Sequence, residues 1–322
     1  MYSRMIGAAA LLCALLLLAS GSTMPQSPSW SATNGPTSGD VRSLVINSDG
    51  HIFAGTDAGV FRSTDEGATW TEVNTGLTHT NIRCLALGSK GELLTASFGG
   101  GICRSSDDGS TWTEISKGLG NSTISSLAVT PGGGIFAGTG SGMFRSLDNG
   151  SSWNRIDTGL TNTATSAVGV DAKGSLFAGT AGGVFRSFDN GSHWKLLDTG
   201  MTNSNVYCLA LGRDGDLYAG TGGGGIFHST DGGAHWKDAN AGLKGTILHS
   251  VVFDAGHGVV LAATEGGIFR TGSKEQKWTP MNSGWTGKPV RSFAVNGKKQ
   301  IFAGTDGGVF GSTDEGATWE QV

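Results

Sequence analysis

Seven tryptophans, Trp70, Trp112, Trp153, Trp194, Trp236, Trp278 and Trp319, stand 41 or 42 residues apart in a chain of 322. A fixed period of that length restricts the chain to a repeat architecture, because one such unit cannot bury its apolar surface alone. Six of the tryptophans close the same octet. It reads STDEGATW over 63–70, SSDDGSTW over 105–112, SLDNGSSW over 146–153, SFDNGSHW over 187–194, STDGGAHW over 229–236 and STDEGATW over 312–319. The stretch 271–278, TGSKEQKW, keeps the tryptophan and the spacing but has neither the Asp nor the Gly.

Each residue type in the octet has a local use. The short acid, Asp65, Asp107, Asp148, Asp189, Asp231 or Asp314, can accept hydrogen bonds from backbone N–H groups of a tight turn. The Gly two residues on supplies a conformation that a Cβ resists. The tryptophan anchors the turn by burying a large apolar surface. Every unit offers one carboxylate at this place, and the units are separate. The aspartates are therefore read as structural, with no catalytic pair, metal set or cofactor among them.

Aligning the units on their tryptophans reveals three more strands. The first runs Val41–Ile46, Ile82–Leu87, Ile124–Val129, Thr165–Val170, Val206–Leu211, Leu248–Phe253 and Val290–Val295. It carries large apolar residues at its fourth and sixth positions and mostly small ones at its third and fifth. Both faces are expected to be buried, as in an inner strand where space tapers. The second is the Ile-Phe-Ala-Gly-Thr type, as in 52–56, and the third the Gly-Val-Phe-Arg-Ser type, as in 59–63. The tryptophan opens the fourth. Four short antiparallel strands in about 41 residues make a propeller blade. The fold expected is all-β: a seven-bladed β-propeller of four-stranded antiparallel blades over residues 40–322. The segment Trp319–Val322 is expected to supply the last outer strand, although Trp30–Thr33 resembles the same strand. Units one and seven are nearly identical over 52–70 and 301–319, which points to duplication within the gene.

Composition agrees. Charged residues are 15% of the chain and glycines number 56, against roughly 25% charged and about 7% Gly in ordinary domains. Many glycines suit many tight turns between short strands. A net charge of −4 gives no support to nucleic acid or an anionic membrane as partner. Residues 1–22, with Arg4, an apolar run and then small residues, read as a cleaved secretory signal peptide. That leaves no membrane span, a polar lead-in over 23–39, and a secreted or periplasmic monomer. The remaining Cys84, Cys103 and Cys208 are odd in number and form no C-x-x-C pair, so small buried thiols are expected rather than a disulfide framework or zinc site.

The octet, S/T-x-D-x-G-x-x-W, identifies the chain as similar to the BNR/Asp-box superfamily of β-propellers. Its continuous array of F-A-G-T-x-x-G-V-F-R-S-x-D-x-G-x-x-W units most resembles the photosystem II stability/assembly factor family. The resemblance implies the propeller fold and an arginine-rich surface. It says little about activity, since sialidases, two-propeller xyloglucanases and the sortilin ectodomain share the box.

In such a blade the entry to the first strand and the turn between strands two and three share one face, and the Asp boxes lie on the other. The second position of the first strand reads Arg42, Arg83, Ser125, Ser166, Tyr207, His249, Arg291, and the turns add Asp57, Glu265 and Asp306. Ring closure would set Arg291, Arg42 and Arg83 on consecutive blades, with His249 and Tyr207 continuing the arc. Such a crescent either pairs internally and lines a wet channel, or binds an anionic group or protein segment through the forked guanidinium. Two functions compete. A non-enzymatic interaction scaffold with a protein partner fits the lack of a nucleophile constellation or metal cluster. A glycan-binding lectin or sialidase-like glycoside hydrolase fits an arginine trio facing a sugar carboxylate. The second lacks an F/Y-R-x-P segment and is poorly supplied with tyrosine. It also needs two opposed carboxyl groups. Trp285 is the candidate stacking platform for a lectin, or else packs beneath its own loop.

Overall fold

The computed structural model describes residues 35–36, 39–120, 123–213, 215–254, 258–272, 277–285 and 287–322. The signal-peptide reading, nearly all of the lead-in and Trp30 lie outside the described residues. Among those described there are seven four-stranded antiparallel sheets and no helix. Each sheet takes its strands in chain order. The blades run Ser43–Glu72, Ile82–Glu114, Ile124–Arg155, Thr165–Leu197, Val206–Asp238, Leu248–Pro280 and Val290–Gln321. In blade 1 the strands are Ser43–Ile46, Ile52–Thr56, Gly59–Ser63 and Thr71–Glu72. The second strand is fully buried in all seven blades except for one residue at the start of Val259–Thr264. That burial explains its apolar run without alternation.

The inner strands touch their neighbours in order around the ring, and the first also touches the seventh, so the ring closes. Glu320–Gln321 pairs with Gly308–Ser312 and is the outer strand of blade 7. Hydrogen bonds stitch the inner strands. Ser43 Oγ accepts from Leu85 N at 2.9 Å, Ser126 Oγ from Val168 N at 3.0 Å, and Ser292 Oγ from Leu44 N at 3.0 Å across the closing junction. These third-position side chains are only half-buried, apart from Ala167. The inner face of the first strand therefore borders an open channel and is not the fully buried surface the small residues suggested.

The core is divided into seven clusters. Each of them joins residues of two consecutive blades; one example combines Phe136 and Met143 of blade 3 with Leu176, Phe185 and Trp194 of blade 4. The repeated tryptophans sit at these junctions. Six indoles donate to a carbonyl of the preceding blade: Trp112 to Val73, Trp153 to Ile115, Trp194 to Ile156, Trp236 to Leu197, Trp278 to Ala239 and Trp319 to Met281, at 2.6–3.0 Å. Trp70 Nε1, at the closing junction, has no acceptor among the described residues. So the tryptophan binds blade to blade as well as anchoring its own turn.

Arginines of the third strand add a second clasp. Arg62, Arg104, Arg145, Arg186 and Arg270 each reach a backbone carbonyl in the box of the next blade, at 2.7–3.3 Å. Blade 7 has Gly311 at that place. There Lys298 and Gln300 hold the Glu66 carboxylate instead, the latter at 2.9 Å.

Within a box, Ser63 Oγ donates to Asp65 Oδ1 at 2.8 Å and accepts from Gly67 N at 2.8 Å. Asp65 then accepts from Thr69 N and Thr69 Oγ1 at 2.8 and 2.6 Å. The residue before the Gly is also left-handed, with φ of 55–60° at Glu66, Asp108, Asn149, Asn190 and Glu315. Asn and Asp tolerate that region better than most.

The side-chain hydroxyl four residues on, then the backbone N–H of that same residue, hold Asp107, Asp148 and Asp314 down to about 2. Asp65 is lowered for the same reasons, and Asp189 and Asp231 chiefly by His193 and His235. A carboxyl lowered by folding stabilises the fold above its unfolded value, near 3.9, and loses that contribution as pH falls to its folded value. Stability is therefore expected to drop between about pH 4 and 2. The triple variant D107N/D148N/D314N should show a shallower drop in urea midpoint over that window. An unchanged slope would show that the boxes do not couple folding to protons.

All three thiols are free; Cys103 is buried, whereas Cys84 and Cys208 are half-buried rather than fully buried as expected. Desolvation pushes the Cys84 and Cys208 thiols up to about 12 and Cys103 to about 11, which keeps them protonated and unreactive.

Candidate functional site: the arginine-lined channel mouth

One irregularity builds the site. In blades 2 to 7 the pairing of the first and second strands shifts just after the first residue. Ile82 pairs with Ser97 but Cys84 with Ala96, and Val290 with Thr305 but Ser292 with Gly304. The same shift recurs in blades 3, 4, 5 and 6. The residue left over is the second position: Arg83, Ser125, Ser166, Tyr207, His249 and Arg291. A β-bulge of this kind bends the strand and re-aims the extra side chain. Burial follows suit, since the first position is buried in every case and the second is exposed in all but blade 6, where His249 is half-buried. In blade 1, Arg42 stands just outside the strand and donates its N–H to Gly55 O at 2.9 Å.

Four of the re-aimed side chains, Arg83, Ser125, His249 and Arg291, meet Arg42 at the mouth of the channel. Arg42, Arg83, Thr123, Ser125, His249 and Arg291 line one open cavity of about 270 Å³. Five blades contribute, and the three guanidiniums come from blades 7, 1 and 2. Tyr207, Asp57, Glu265 and Asp306 stand on the same face but do not line this cavity. Tyr207 is 44% exposed, and its ring lies over Gly222, where an added Cβ would come within 2.6 Å of the ring. The Asp57 carboxylate is packed against Gly39.

The three arginines are not equivalent. Arg291 is gripped by Asp306 through two bonds, Nε to Oδ1 at 2.6 Å and Nη2 to Oδ2 at 2.9 Å. Arg42 donates to Asn81 Oδ1 of blade 2 and has Asp40 at 3.7 Å. Arg83 has no carboxylate partner among the described residues, and its guanidinium lies 5.2 Å from the ring centre of Phe98. Internal pairing thus accounts for Arg291, partly for Arg42, and not for Arg83.

Glu265 is held by the backbone. Its Oε1 accepts from Thr246 N at 2.8 Å and its Oε2 from Ile247 N at 2.9 Å. Burial works to raise its carboxyl, but those N–H groups, its own N–H and His249 together bring it below the usual range. His249 is lowered first by burial and then by the Arg291 charge, against the pull of Glu265 and Asp306. Both leading effects favour the neutral imidazole, and the arginines carry the fixed positive charge of the mouth.

Trp285 packs on Phe310 at 5.0 Å and edge-on to Trp319 at 5.7 Å, which is the packing alternative to a stacking platform. Phe98 escaped the sequence reading. It occupies the turn position that holds Asp57, Glu265 and Asp306 in blades 1, 6 and 7, and that alignment was the available signal. Among the described residues there is no cluster of three or more metal-ligating side chains.

The model of the family described as "Photosynthesis system II assembly factor YCF48" matches residues 30–271. Among curated proteins no relative matches the chain. Solved structures share the fold. An ancestral GH74 enzyme superposes with a TM-score of 0.73 at 17% identity, covering 89% of this chain and 46% of its own. The GH74 xyloglucanase from Xanthomonas campestris gives 0.70 at 18%, covering 90% and 55%. The virginiamycin B lyase from Staphylococcus aureus gives 0.70 at 16%, covering 87% and 95%. This chain thus spans about half the length of the GH74 enzymes, and at these identities the likeness is one of fold.

Proposed function

The chain belongs to the photosynthesis system II assembly factor family, matched over residues 30–271, and from that premise we propose that it is a non-enzymatic scaffold that binds a protein partner at its arginine-lined mouth. The observation carrying this reading is the convergence of Arg42, Arg83 and Arg291 on one open cavity. Forked guanidiniums from three rigid blades suit carboxylates of an acidic protein segment. Secretion or residence in the periplasm is part of the same proposal; it rests on residues 1–22, and among the described residues no helix is long and apolar enough to cross a membrane.

A glycoside hydrolase is the second reading, favoured by the fold shared with GH74 enzymes. Its chemistry needs a carboxyl group raised enough to donate a proton. Glu265 is lowered instead, and Asp306 is engaged by Arg291. No carboxylate lines the cavity among the described residues.

The test is a cross-linked pull-down from the native cell envelope, with protein and glycan both analysed in the eluate. The scaffold reading expects a protein partner that R42A/R83A/R291A no longer captures. Glycan enrichment without a protein partner would replace it with the carbohydrate reading.

A further inference from the structure

The mouth is polarised, and the polarity bears on what it recognises. Blades 6, 7 and 1 place an acid, Glu265, Asp306 or Asp57, at the first position of the turn between strands two and three. Blade 2 places Phe98 there. Its backbone N–H is fixed by Asn81 O at 2.8 Å, and its side chain is 52% exposed, one of five large apolar side chains so exposed among the described residues. Arg83 lies over this ring. A ring contact engages the guanidinium's face and leaves its N–H donors unspent. Arg83 therefore presents the free fork of the cavity, beside Thr123 and Ser125, whose hydroxyls add neutral donors without competing charge. At Arg291 an incoming anion would have to displace Asp306 from a two-bond grip.

Resting on the reading of the mouth as a partner site, we infer that Arg83 and Phe98 form its primary subsite, taking a carboxylate whose immediate neighbour is an aromatic or large apolar group. In a protein partner this is an Asp or Glu side chain with such a residue beside it. The carboxylate meets the fork of Arg83, and the apolar group covers the open part of Phe98. Arg42 and Arg291 supply field and secondary contacts. A bare anion would use half of the subsite, and a heavily hydroxylated sugar acid would leave Phe98 uncovered.

The experiment follows the side-chain Nε–H resonances of the ¹⁵N-arginine-labelled full chain during titration with acetate, phenylacetate and N-acetylneuraminate. The Arg83 resonance is expected to move first, and phenylacetate to half-saturate it at least fivefold lower than acetate. F98A should abolish that preference, so that acetate and phenylacetate half-saturate Arg83 within twofold of one another. R83K, which keeps the charge but not the fork, should weaken both carboxylates. Equal response to acetate and phenylacetate, first movement at Arg42 or Arg291, or tightest binding of N-acetylneuraminate would each overturn the inference. The two readings separate cleanly. If Arg83 responds as expected but R83A and the triple variant still capture the envelope partner, the subsite stands and the partner-face reading falls. If capture fails in the triple variant while acetate and phenylacetate act alike, the partner face stands and the Arg83–Phe98 subsite falls.

Discussion

A Trp194→Ala chain is expected to lose about 3–5 kcal/mol of stability, read as a lowered urea midpoint. Trp194 is 6% exposed and packs among Phe136, Met143, Leu176 and Phe185 at the junction of blades 3 and 4. Its removal leaves a cavity there, and it leaves the Ile156 carbonyl without the indole donor now 2.6 Å away. Buried acceptors stranded in this way add about 1–3 kcal/mol. Trp70→Ala is the internal comparison. Trp70 is as buried, but its indole N–H has no acceptor among the described residues. It should therefore cost about 1 kcal/mol less than the Trp194 change. Phe188→Ala is the surface control: the ring is 73% exposed and lies against Arg186 at 4.3 Å, so its loss should stay within about 1 kcal/mol. Equal losses for the two tryptophans would show that the indole hydrogen bond between blades contributes little.

The second large effect concerns binding. R42A/R83A/R291A is expected to weaken partner binding by on the order of 10²–10³-fold, since truncating one side of a hydrogen-bonded charge pair at an interface costs about 2–5 kcal/mol. Folding should hardly change. Arg83 and Arg291 are exposed, and Arg42 is half-buried with one bond to Asn81. Arg291 is more than a third exposed, and its pair with Asp306 is screened by solvent, so it contributes about 0–1 kcal/mol. The unequal pairing of the three gives an order: R83A should account for more of the loss than R291A. Binding should also weaken with added salt, since exposed charges are screened beyond about 10 Å at 0.1 M. A variant that unfolds at the same urea concentration and binds as well as the parent would remove the arginines from the interface.

Much of the architecture was legible in the spacing of seven tryptophans. That period fixed the number of blades, and the alignment of the units placed Arg42, Arg83 and Arg291 on consecutive blades. The crowded second strand, buried along nearly its whole length, reads as continuous apolar sequence because both its faces meet other sheets. What stayed hidden was geometry between strands and between blades. The bulge after the first residue of the inner strand in blades 2 to 7 leaves no mark in the residue types, yet it re-aims the second position, which in blades 2, 3, 6 and 7 lines the mouth. Small third-position residues suggested burial, but the channel leaves them half-open. The arginines of the third strand, Arg62 and its counterparts, look like part of a hairpin and act on the next blade instead. The grip of Asp306 on Arg291, and its lack at Arg83, depend on which acid the neighbouring turn carries. Phe98 was visible only as a gap in the pattern of acids.

The central claim is that the partner meets the channel mouth and not the opposite face of the boxes. Site-specific photo-cross-linking in cells tests it most directly, with the photoreactive residue at Ser125 in the mouth or at Ser106 in the Asp-box turn of blade 2. The account predicts one partner adduct from Ser125, lost when Arg83 is replaced by Ala, and none from Ser106. An adduct from Ser106 with none from Ser125 would contradict it.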